Sequence, residues 1–371
     1  MSDEVTRRRF IRQTEAVVGG LALAGVVPTD ALGKDPKGAQ GNAGSKTGDI
    51  KLGMYSMSYS GVFFNGPGLT MEEVIQRAKK YGYQGIELSG KRPHGNPLDM
   101  PKSRCAQLRK LAADNGVPIY AVAGNNDFSS SVMEHRECQL VYMRELIRMA
   151  SDVGAKLVRV LLAWVGVAKL PVPPGGGDYD IGDRVWETDH EGVSAEENWA
   201  RCRDGLKESV RWAREFGVTL ALQNHPVVLQ PEFHKDVLRM VHEVDSPNLK
   251  MCLDSEYLAQ YDEAHIRESV AEVGSLQMMS HFGGDFARTP DGKFTGVGRD
   301  GLDVTKVYPV FIRALLDNGF QGHVSYECCH NAPVVNGMTM GIEFPDNNAR
   351  HAAEYLLGVI AQAKKEISGA A

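Results

Sequence analysis

Four short apolar runs decide the fold: Val218-Thr-Leu-Ala-Leu-Gln-Asn-His225, Leu249-Lys-Met-Cys-Leu-Asp254, Leu276-Gln-Met-Met-Ser-His281 and His323-Val-Ser-Tyr-Glu327. Each run has the length of a buried strand and carries a polar side chain at or near its end. Helix-compatible stretches follow the first three runs. This alternation is typical of βα units, whose parallel strands direct their carboxyl ends to one face of a barrel. We therefore expect Gln223, Asp254, His281 and Glu327 to converge.

The rest of the chain continues the same alternation. Strands are predicted at 50–56, 85–88, 119–122 and 157–162, and helices at 70–81, 103–115, 134–153, 195–216, 233–244, 262–273, 304–318 and 347–367. Thr70-Met-Glu-Glu73 has the capping-box pattern that begins a helix, and Gly116 and Gly154 stand where glycine commonly ends one. With the four runs above, the count is eight strands and eight helices. The sequence therefore predicts an α/β fold, a TIM (β/α)8 barrel.

Length and composition favour a single large domain. The chain has 371 residues, of which 43% are hydrophobic and 24% charged, which suits one barrel core. Its formal net charge is -6, with no basic tract beyond the N-terminus, so we expect a small polar substrate and no nucleic-acid partner. Six cysteines are scattered without CxxC spacing, and the sequence assigns them no pairing. It also leaves open whether the chain forms a homo-oligomer.

The N-terminus predicts export through the twin-arginine pathway. Thr6-Arg-Arg-Arg-Phe-Ile-Arg12 precedes a weakly apolar run of 12 residues, 16–27, and then a small-residue stretch. That run is too short for a bilayer core of about 30 Å, so we expect no membrane anchor. The alternative is a surface helix with a basic start. We assign 1–32 to the signal, 33–49 to a flexible linker and 50–371 to the barrel, and expect a periplasmic or secreted protein.

Polar residues at successive strand ends favour a metal site. Asp254, His281 and Glu327 are typical ligands of divalent cations, and the weaker amide oxygen of Gln223 would complete the set. We predict a divalent cation, with Mn²⁺ preferred over Mg²⁺, Zn²⁺ or Co²⁺. Each ligand also has a structural alternative. Asp254 would cap the next segment, His281 would be a hydrogen-bonded rim residue, and Glu327 would pair with Arg299.

Seven motifs extend this interpretation: Gly85-Ile-Glu-Leu88, Gly154-Ala-Lys-Leu-Val-Arg159, Gly217-Val-Thr-Leu-Ala-Leu-Gln-Asn-His225, Leu253-Asp254, His281-Phe-Gly-Gly-Asp285, Gly296-Val-Gly-Arg-Asp-Gly-Leu-Asp303 and Val324-Ser-Tyr-Glu327. In this order, between Gly53 and about Leu357, they resemble the sugar phosphate isomerase/epimerase superfamily of xylose isomerase-like TIM barrels. The resemblance implies a divalent metal at the four positions above. At the first of them, Gln223 here, the superfamily usually has glutamate.

The resemblance also implies a chemistry. In the ketose epimerases, the first and last of these positions are glutamates that exchange protons on two faces of the substrate. Gln223 is not a base at any relevant pH, so the two-glutamate mechanism is not expected here. What remains is metal-assisted proton abstraction next to a sugar carbonyl, with Glu327 or His225 taking the proton.

The same chemistry has two outcomes for a carbohydrate substrate. One is isomerisation or epimerisation, and the other is β-elimination from a 3-keto glycoside. We expect four residues to bind sugar hydroxyls: Glu87, His94, Asn224 and Arg299. Trp186, in a long excursion at 163–193 with the character of a binding loop, suits a sugar ring, although packing alone would also explain it.

Two other classes of function compete with this enzyme. A non-catalytic periplasmic sugar-binding protein is compatible with the neutral Gln223. A nuclease resembling endonuclease IV is not expected, because its trinuclear zinc site needs more ligands and Tyr257 stands where such enzymes carry a histidine.

Overall fold

The computed structural model describes residues 48–371 except 172, 226, 229–233, 256–261, 299–300 and 370–371. The predicted signal, the linker up to residue 47 and Arg299 lie outside the described residues. The domain boundaries therefore stay a prediction. In the described part of the chain, no helix is both long and apolar enough to cross a bilayer.

Eight parallel strands form a closed barrel. They are β1 (Asp49–Tyr55), β2 (Gly85–Ser89), β3 (Ile119–Ala123), β4 (Leu157–Val160), β5 (Thr219–Gln223), β6 (Leu249–Cys252), β7 (Gln277–Phe282) and β8 (Gln321–Tyr326). Each strand pairs with the next along the chain, and β8 closes the ring against β1. The predicted TIM (β/α)8 fold is confirmed.

Helices alternate with these strands. They are α1 (Met71–Tyr81), α2 (Lys102–Asp114), α3 (Met133–Val153), α4 (Tyr179–Asp189), α5 (Ala195–Phe216), α6 (His234–Val244), α7 (Glu263–Val273), α8 (Val307–Asp317) and α9 (Glu343–Gly369). The predicted capping box is present at α1, where Thr70 and Glu73 exchange hydrogen bonds. Gly154 ends α3 with a φ of 84°, a value that glycine adopts without strain.

The prediction of an irregular loop throughout 163–193 is wrong in part, because α4 lies within it. Asp178 caps α4 by accepting a hydrogen bond from the main-chain N–H of Asp180. A two-residue ribbon, Ala168–Lys169 paired with Gly177–Asp178, leads into the helix. The prolines and glycines of the excursion hid this cap from an interpretation based on periodicity.

The barrel interior is packed in layers by strand alternation. A lower layer consists of Gly53, Gly85, Ala121, Leu157, Ala221, Cys252, Met279 and Ser325. The residues two positions further along the chain form what we call the upper layer: Tyr55, Glu87, Ala123, Arg159, Gln223, Asp254, His281 and Glu327. The upper layer lies at the carboxyl ends of the strands, where barrel enzymes carry their chemistry.

Candidate active site

The centre of the upper layer is the imidazole of His281, which lies between two carboxylates. Its Nε2 is 2.7 Å from Glu87 Oε2, and its Nδ1 is 3.0 Å from Asp254 Oδ2. All three side chains are buried. Two carboxylate neighbours require both ring nitrogens to donate, so His281 is a charged imidazolium in this arrangement.

The electrostatics of the centre agree with that protonation state. Burial opposes a charge on His281, but the carboxylates of Asp254 and Glu87 outweigh it and raise the pKa of the ring well above its ordinary value. Burial likewise favours the neutral acids, but the positive charge of His281 outweighs it and lowers the pKa of both Glu87 and Asp254.

Arg159 extends the network to Gln223. The guanidinium donates from Nε to Glu87 Oε1 at 2.8 Å and from Nη1 to Gln223 Oε1 at 2.7 Å. The amide of Gln223 in turn donates from Nε2 to Asp254 Oδ2 at 2.5 Å. The predicted convergence of Gln223, Asp254 and His281 is therefore present, but the oxygen of Gln223 faces Arg159.

Asn224 joins the carboxyl ends of β5 and β6. Its Oδ1 accepts from the main-chain N–H of Asp254 at 2.8 Å, and its Nδ2 donates to the Asp254 carbonyl at 3.2 Å. Both ends of the amide are thus used to hold Asp254 in place. A further role for Asn224 in binding sugar hydroxyls stays a prediction.

Glu327 follows β8 and lies half-buried at the edge of the same layer. Its main-chain N–H donates to the Phe282 carbonyl at 3.0 Å, which ties the strand end to β7. Burial raises the pKa of Glu327 above its ordinary value; the positive charge of His281 opposes the increase without cancelling it. A carboxylate with a raised pKa beside a polar cluster suits a general base or acid.

The donor atoms at this centre fit a divalent cation. Ligand atoms of Cys252, Asp254 and His281 all lie within 4.8 Å of one another, and all three side chains are buried. Glu87 stands behind His281, in the arrangement that holds Nδ1 towards a metal in carboxylate–histidine–metal triads. A cation held by Asp254 and His281 would replace the proton that His281 Nδ1 donates to Asp254 Oδ2. Ligation by Gln223 or Glu327 stays a prediction.

Aromatic side chains lie beside the upper layer. The ring of Trp164 is 5.3 Å from that of His225 and 6.0 Å from that of Tyr179, and the Tyr179 hydroxyl donates to the Cys329 carbonyl at 2.9 Å. Lys91 Nζ lies 5.2 Å from the centre of the Trp164 ring. Loss of hydration lowers the pKa of Lys91 to about 8, and the charge of Arg159 acts in the same direction.

A model of the xylose isomerase-like TIM barrel family matches residues 75–357, most of the chain and all but the first of its barrel strands. The chain belongs to this family. Among curated relatives, fructoselysine 3-epimerase of Escherichia coli O157:H7 is 23% identical over 323 residues, which cover 82% of this chain and 96% of the relative.

Several solved structures share the fold of this chain at low sequence identity. D-Psicose 3-epimerase from Clostridium cellulolyticum H10, determined with D-tagatose, has a TM-score of 0.59 at 18% identity and covers 84% of this chain and 99% of its own. The apo 3-keto-D-glucoside 4-epimerase from E. coli has a TM-score of 0.55 at 16% identity, with coverages of 84% and 99%. The IolI protein with a bound zinc atom has a TM-score of 0.54 at 16% identity, with coverages of 84% and 97%.

Some predicted substrate-binding residues of this xylose isomerase-like barrel lie away from the centre. His94 is buried, and its Nε2 donates to the Leu69 carbonyl at 3.0 Å. Trp186 stacks on His190 with ring centres 3.9 Å apart, and its Nε1 donates to Ser129 at 3.2 Å. The structure thus shows a packing role for both, and their roles in sugar binding stay predictions. Aromatic residues nearer the centre include Tyr55, whose ring centre is 5.9 Å from that of His281, and the pair Trp164 and Tyr179.

Sequence reasoning missed three residues of the site: Arg159, Cys252 and Lys91. A signal for the first two was present, because alternation places Arg159 two residues after Leu157 and Cys252 two residues before Asp254, on the inward side of their strands. An arginine in the apolar run Leu157-Val-Arg-Val160 needs a buried partner, and Glu87 is that partner. Nothing in the sequence around Lys91 distinguishes it from a solvated loop lysine.

Proposed function

We propose that the chain is a metal-dependent sugar isomerase or epimerase, which removes a proton next to a carbonyl of a carbohydrate. The observation that carries the proposal is the buried Glu87–His281–Asp254 network at the carboxyl ends of the strands, with the carboxylate of Glu327 at its edge. The similarity to fructoselysine 3-epimerase and to D-psicose 3-epimerase supports the choice of substrate class.

The buried residues prepare the centre for a cation. Asp254 and His281 would hold it, while Glu87 accepts the Nε2 proton of His281 and so directs Nδ1 towards it. When bound, a divalent cation polarises a substrate carbonyl and acidifies the neighbouring C–H. The zinc atom bound in the IolI structure, which shares the fold, supports the choice of a metal-dependent function.

Glu327 would act as the base. Its raised pKa makes the carboxylate a stronger proton acceptor than an exposed glutamate. Burial also destabilises the neutral acid that forms after proton transfer less than it destabilises the carboxylate. His225, in edge-to-face contact with Trp164, is the second residue that we propose for proton transfer. Trp164 and Tyr179 would contact the apolar face of a sugar ring.

A metal-dependent lyase that cleaves 3-keto glycosides by β-elimination is the second candidate. Gln223 favours it, because elimination needs one base and an acid for the leaving group, whereas two-base epimerisation needs a second base, and Gln223 stands where the ketose epimerases have theirs. The fold similarity to 3-keto-D-glucoside 4-epimerase is consistent with a 3-keto sugar substrate. Export to the periplasm, which we propose from residues 1–32, would also favour unphosphorylated sugars.

The experiment is an incubation of metal-loaded protein with ketoses and 3-keto glycosides in D₂O. An epimer should carry solvent deuterium at the carbon next to the carbonyl, whereas elimination releases the leaving group and gives an enone whose α-carbon has lost its hydrogen. A sugar-binding protein would show affinity for a sugar without deuterium in any C–H. Absence of exchange with the whole panel at saturating metal contradicts the proposal.

A further inference from the structure

We propose that Cys252 is a ligand of the cation and that Gln223 is not. The inference rests on the metal-dependent function proposed above and names its donor set: the Cys252 thiolate, a carboxylate oxygen of Asp254 and Nδ1 of His281. A thiolate selects a thiophilic cation such as Zn²⁺ over Mn²⁺ or Mg²⁺. Neither this donor set nor this metal preference follows from the residue types that the resemblance expects.

The spacing of the three donor atoms supports this ligand set. Cys252 Sγ lies 3.4 Å from Asp254 Oδ1 and 3.7 Å from His281 Nδ1, and Asp254 Oδ2 lies 3.0 Å from the same nitrogen. Around a tetrahedral zinc with bonds of about 2.0–2.3 Å, neighbouring ligand atoms are about 3.3–3.8 Å apart. The two distances from Cys252 Sγ lie in this range, whereas Asp254 Oδ2 is closer to His281 Nδ1 than two ligands of one cation would be. Binding would therefore require loss of the thiol and Nδ1 protons and a small shift of the Asp254 carboxylate, with all three ligand atoms already within 4.8 Å of one another.

The orientation of Gln223 excludes its oxygen from the set. Because its Oε1 accepts from Arg159, its NH₂ group faces the cluster, 3.5 Å from His281 Nδ1. An amide NH₂ has no lone pair available for a cation. If the amide were turned over, its NH₂ group would lie 2.7 Å from Nη1 of Arg159, and both groups are hydrogen-bond donors. Arg159 does not move away to relieve this contact, because Glu87 holds its Nε. Arg159 thus keeps the oxygen of Gln223 away from the donor set.

Charge balance also favours the thiolate. A dication in a buried site needs anionic ligands, because the interior does not solvate the charge. Where the resemblance expects a glutamate, this chain has the neutral Gln223, which removes one negative charge from the donor set. The Cys252 thiolate restores it. Cys329 does not serve this purpose, since its Sγ lies 3.9 Å from Glu327 Oε2 and outside the three-residue cluster.

The test is a cobalt titration of the full chain after removal of metal with a chelator. A thiolate bound to Co²⁺ gives a charge-transfer band in the near ultraviolet, which needs no substrate. We expect the band in the wild-type protein and its loss in Cys252→Ser. Two matched variants should keep it: Cys202→Ser, a buried thiol that contacts the Leu162 carbonyl at 3.5 Å, and Cys329→Ser. Preference for Zn²⁺ over Mn²⁺ should fall at least about tenfold in Cys252→Ser.

Each other outcome overturns the inference or separates it from the proposed function. A wild-type protein that binds no Co²⁺, or binds it without the band, contradicts the ligand set, as does a band that survives in Cys252→Ser. If Cys252→Ser does not fold, the presence of the band in the wild-type protein and its loss in Cys252→Ala test the ligand set instead. A protein with the band but without deuterium exchange refutes the proposed function alone, whereas exchange without the band refutes the ligand set alone.

Discussion

Glu87 is the residue on which the site network depends. One carboxylate oxygen accepts from Arg159 and the other accepts from His281, so a single side chain fixes both positively charged side chains of the upper layer. A buried carboxylate with two charged donors has its solvation replaced by hydrogen bonds. This geometry gives Glu87 a positioning role, and its predicted contact with sugar hydroxyls stays a prediction.

Replacing Glu87 by Gln should weaken metal binding. The amide accepts more weakly from His281 Nε2 and less firmly fixes the tautomer that directs Nδ1 to a cation, so affinity should fall about 10–100-fold. Isothermal titration with Zn²⁺ measures this at a temperature well below the melting point of both proteins. Glu72→Gln, which removes a surface partner of Arg104, should leave the affinity unchanged. An unchanged affinity in Glu87→Gln would show that Glu87 does not position His281.

His94 should make the protein less stable in acid. Burial lowers the pKa of His94 to about 4, whereas the unfolded chain has a value of about 6.5. The unfolded state therefore binds a proton first, and stability falls as the pH decreases from about 6.5 towards 4, by about 2 kcal/mol between pH 7 and 5.

Urea unfolding at pH 7 and 5 measures the effect of His94. His94→Asn should show a smaller loss of stability between the two pH values than the wild-type protein. His323 contributes in the same direction, since burial lowers its pKa to about 4. His94→Asn should therefore remove only part of the dependence of stability on pH. His135→Asn, on an exposed position of α3, should keep the whole slope. Equal slopes in His94→Asn and His135→Asn would contradict the assignment.

At the scale of the strands, two large rings pack against two glycines in the lower layer of the barrel. The ring of Tyr120 stacks on His323 with centres 3.8 Å apart, and the pair fills the space over the glycines of β1 and β2. Gly85 is required there because a Cβ would lie 2.6 Å from His323 Nε2 and 3.0 Å from Tyr120 Cδ1. A side chain at Gly85 would therefore displace the Tyr120–His323 pair in the barrel interior.

Alanine at Gly85 should destabilise the barrel, while alanine at Gly358 should not. Overpacking a filled interior costs about 1–3 kcal/mol, so Gly85→Ala should lower the free energy of unfolding by that amount. Gly358 lies exposed in α9, and a Cβ there would have no atom within 4 Å, so Gly358→Ala should stabilise the helix by up to about 1 kcal/mol. Equal effects of the two substitutions in chemical denaturation would contradict this explanation of the packing.

The elements were predictable where local rules apply. Alternation and capping residues such as Thr70 and Gly154 place the barrel strands and most helices within a few residues of their observed ends. The convergence of Gln223, Asp254 and His281 followed from strand ends in a barrel. The orientation of Gln223 did not, because it depends on Arg159, whose strand reaches Gln223 only through the register of the closed sheet.

At the scale of the whole molecule, we propose an exported chain with a barrel whose charged centre is completed by a cation. Export in the folded state would allow metal loading before the protein leaves the cytoplasm. The residues to which we assign this step, 1–32, precede the described barrel in the sequence. The prediction for them is independent of the site chemistry.

Replacing Arg7 and Arg8 by lysine should retain the protein in the cytoplasm. Guanidinium groups are planar, multidentate donors that lysine does not reproduce, so a receptor that reads the arginine pair should not bind the variant. Cell fractionation with detection of the chain measures the distribution. Arg12→Lys, outside the pair, should still be exported. Equal export of the lysine pair and the wild-type protein would contradict the signal assignment.

The most direct test of the central claim compares wild-type protein with Glu327→Gln in D₂O, both loaded with metal and supplied with a sugar that the wild-type protein binds. We predict deuterium at the carbon next to the carbonyl in the wild-type reaction. In Glu327→Gln, exchange should be at least about 10²-fold slower while metal is still bound. Exchange at the wild-type rate in Glu327→Gln, with metal present, would show that Glu327 is not the base.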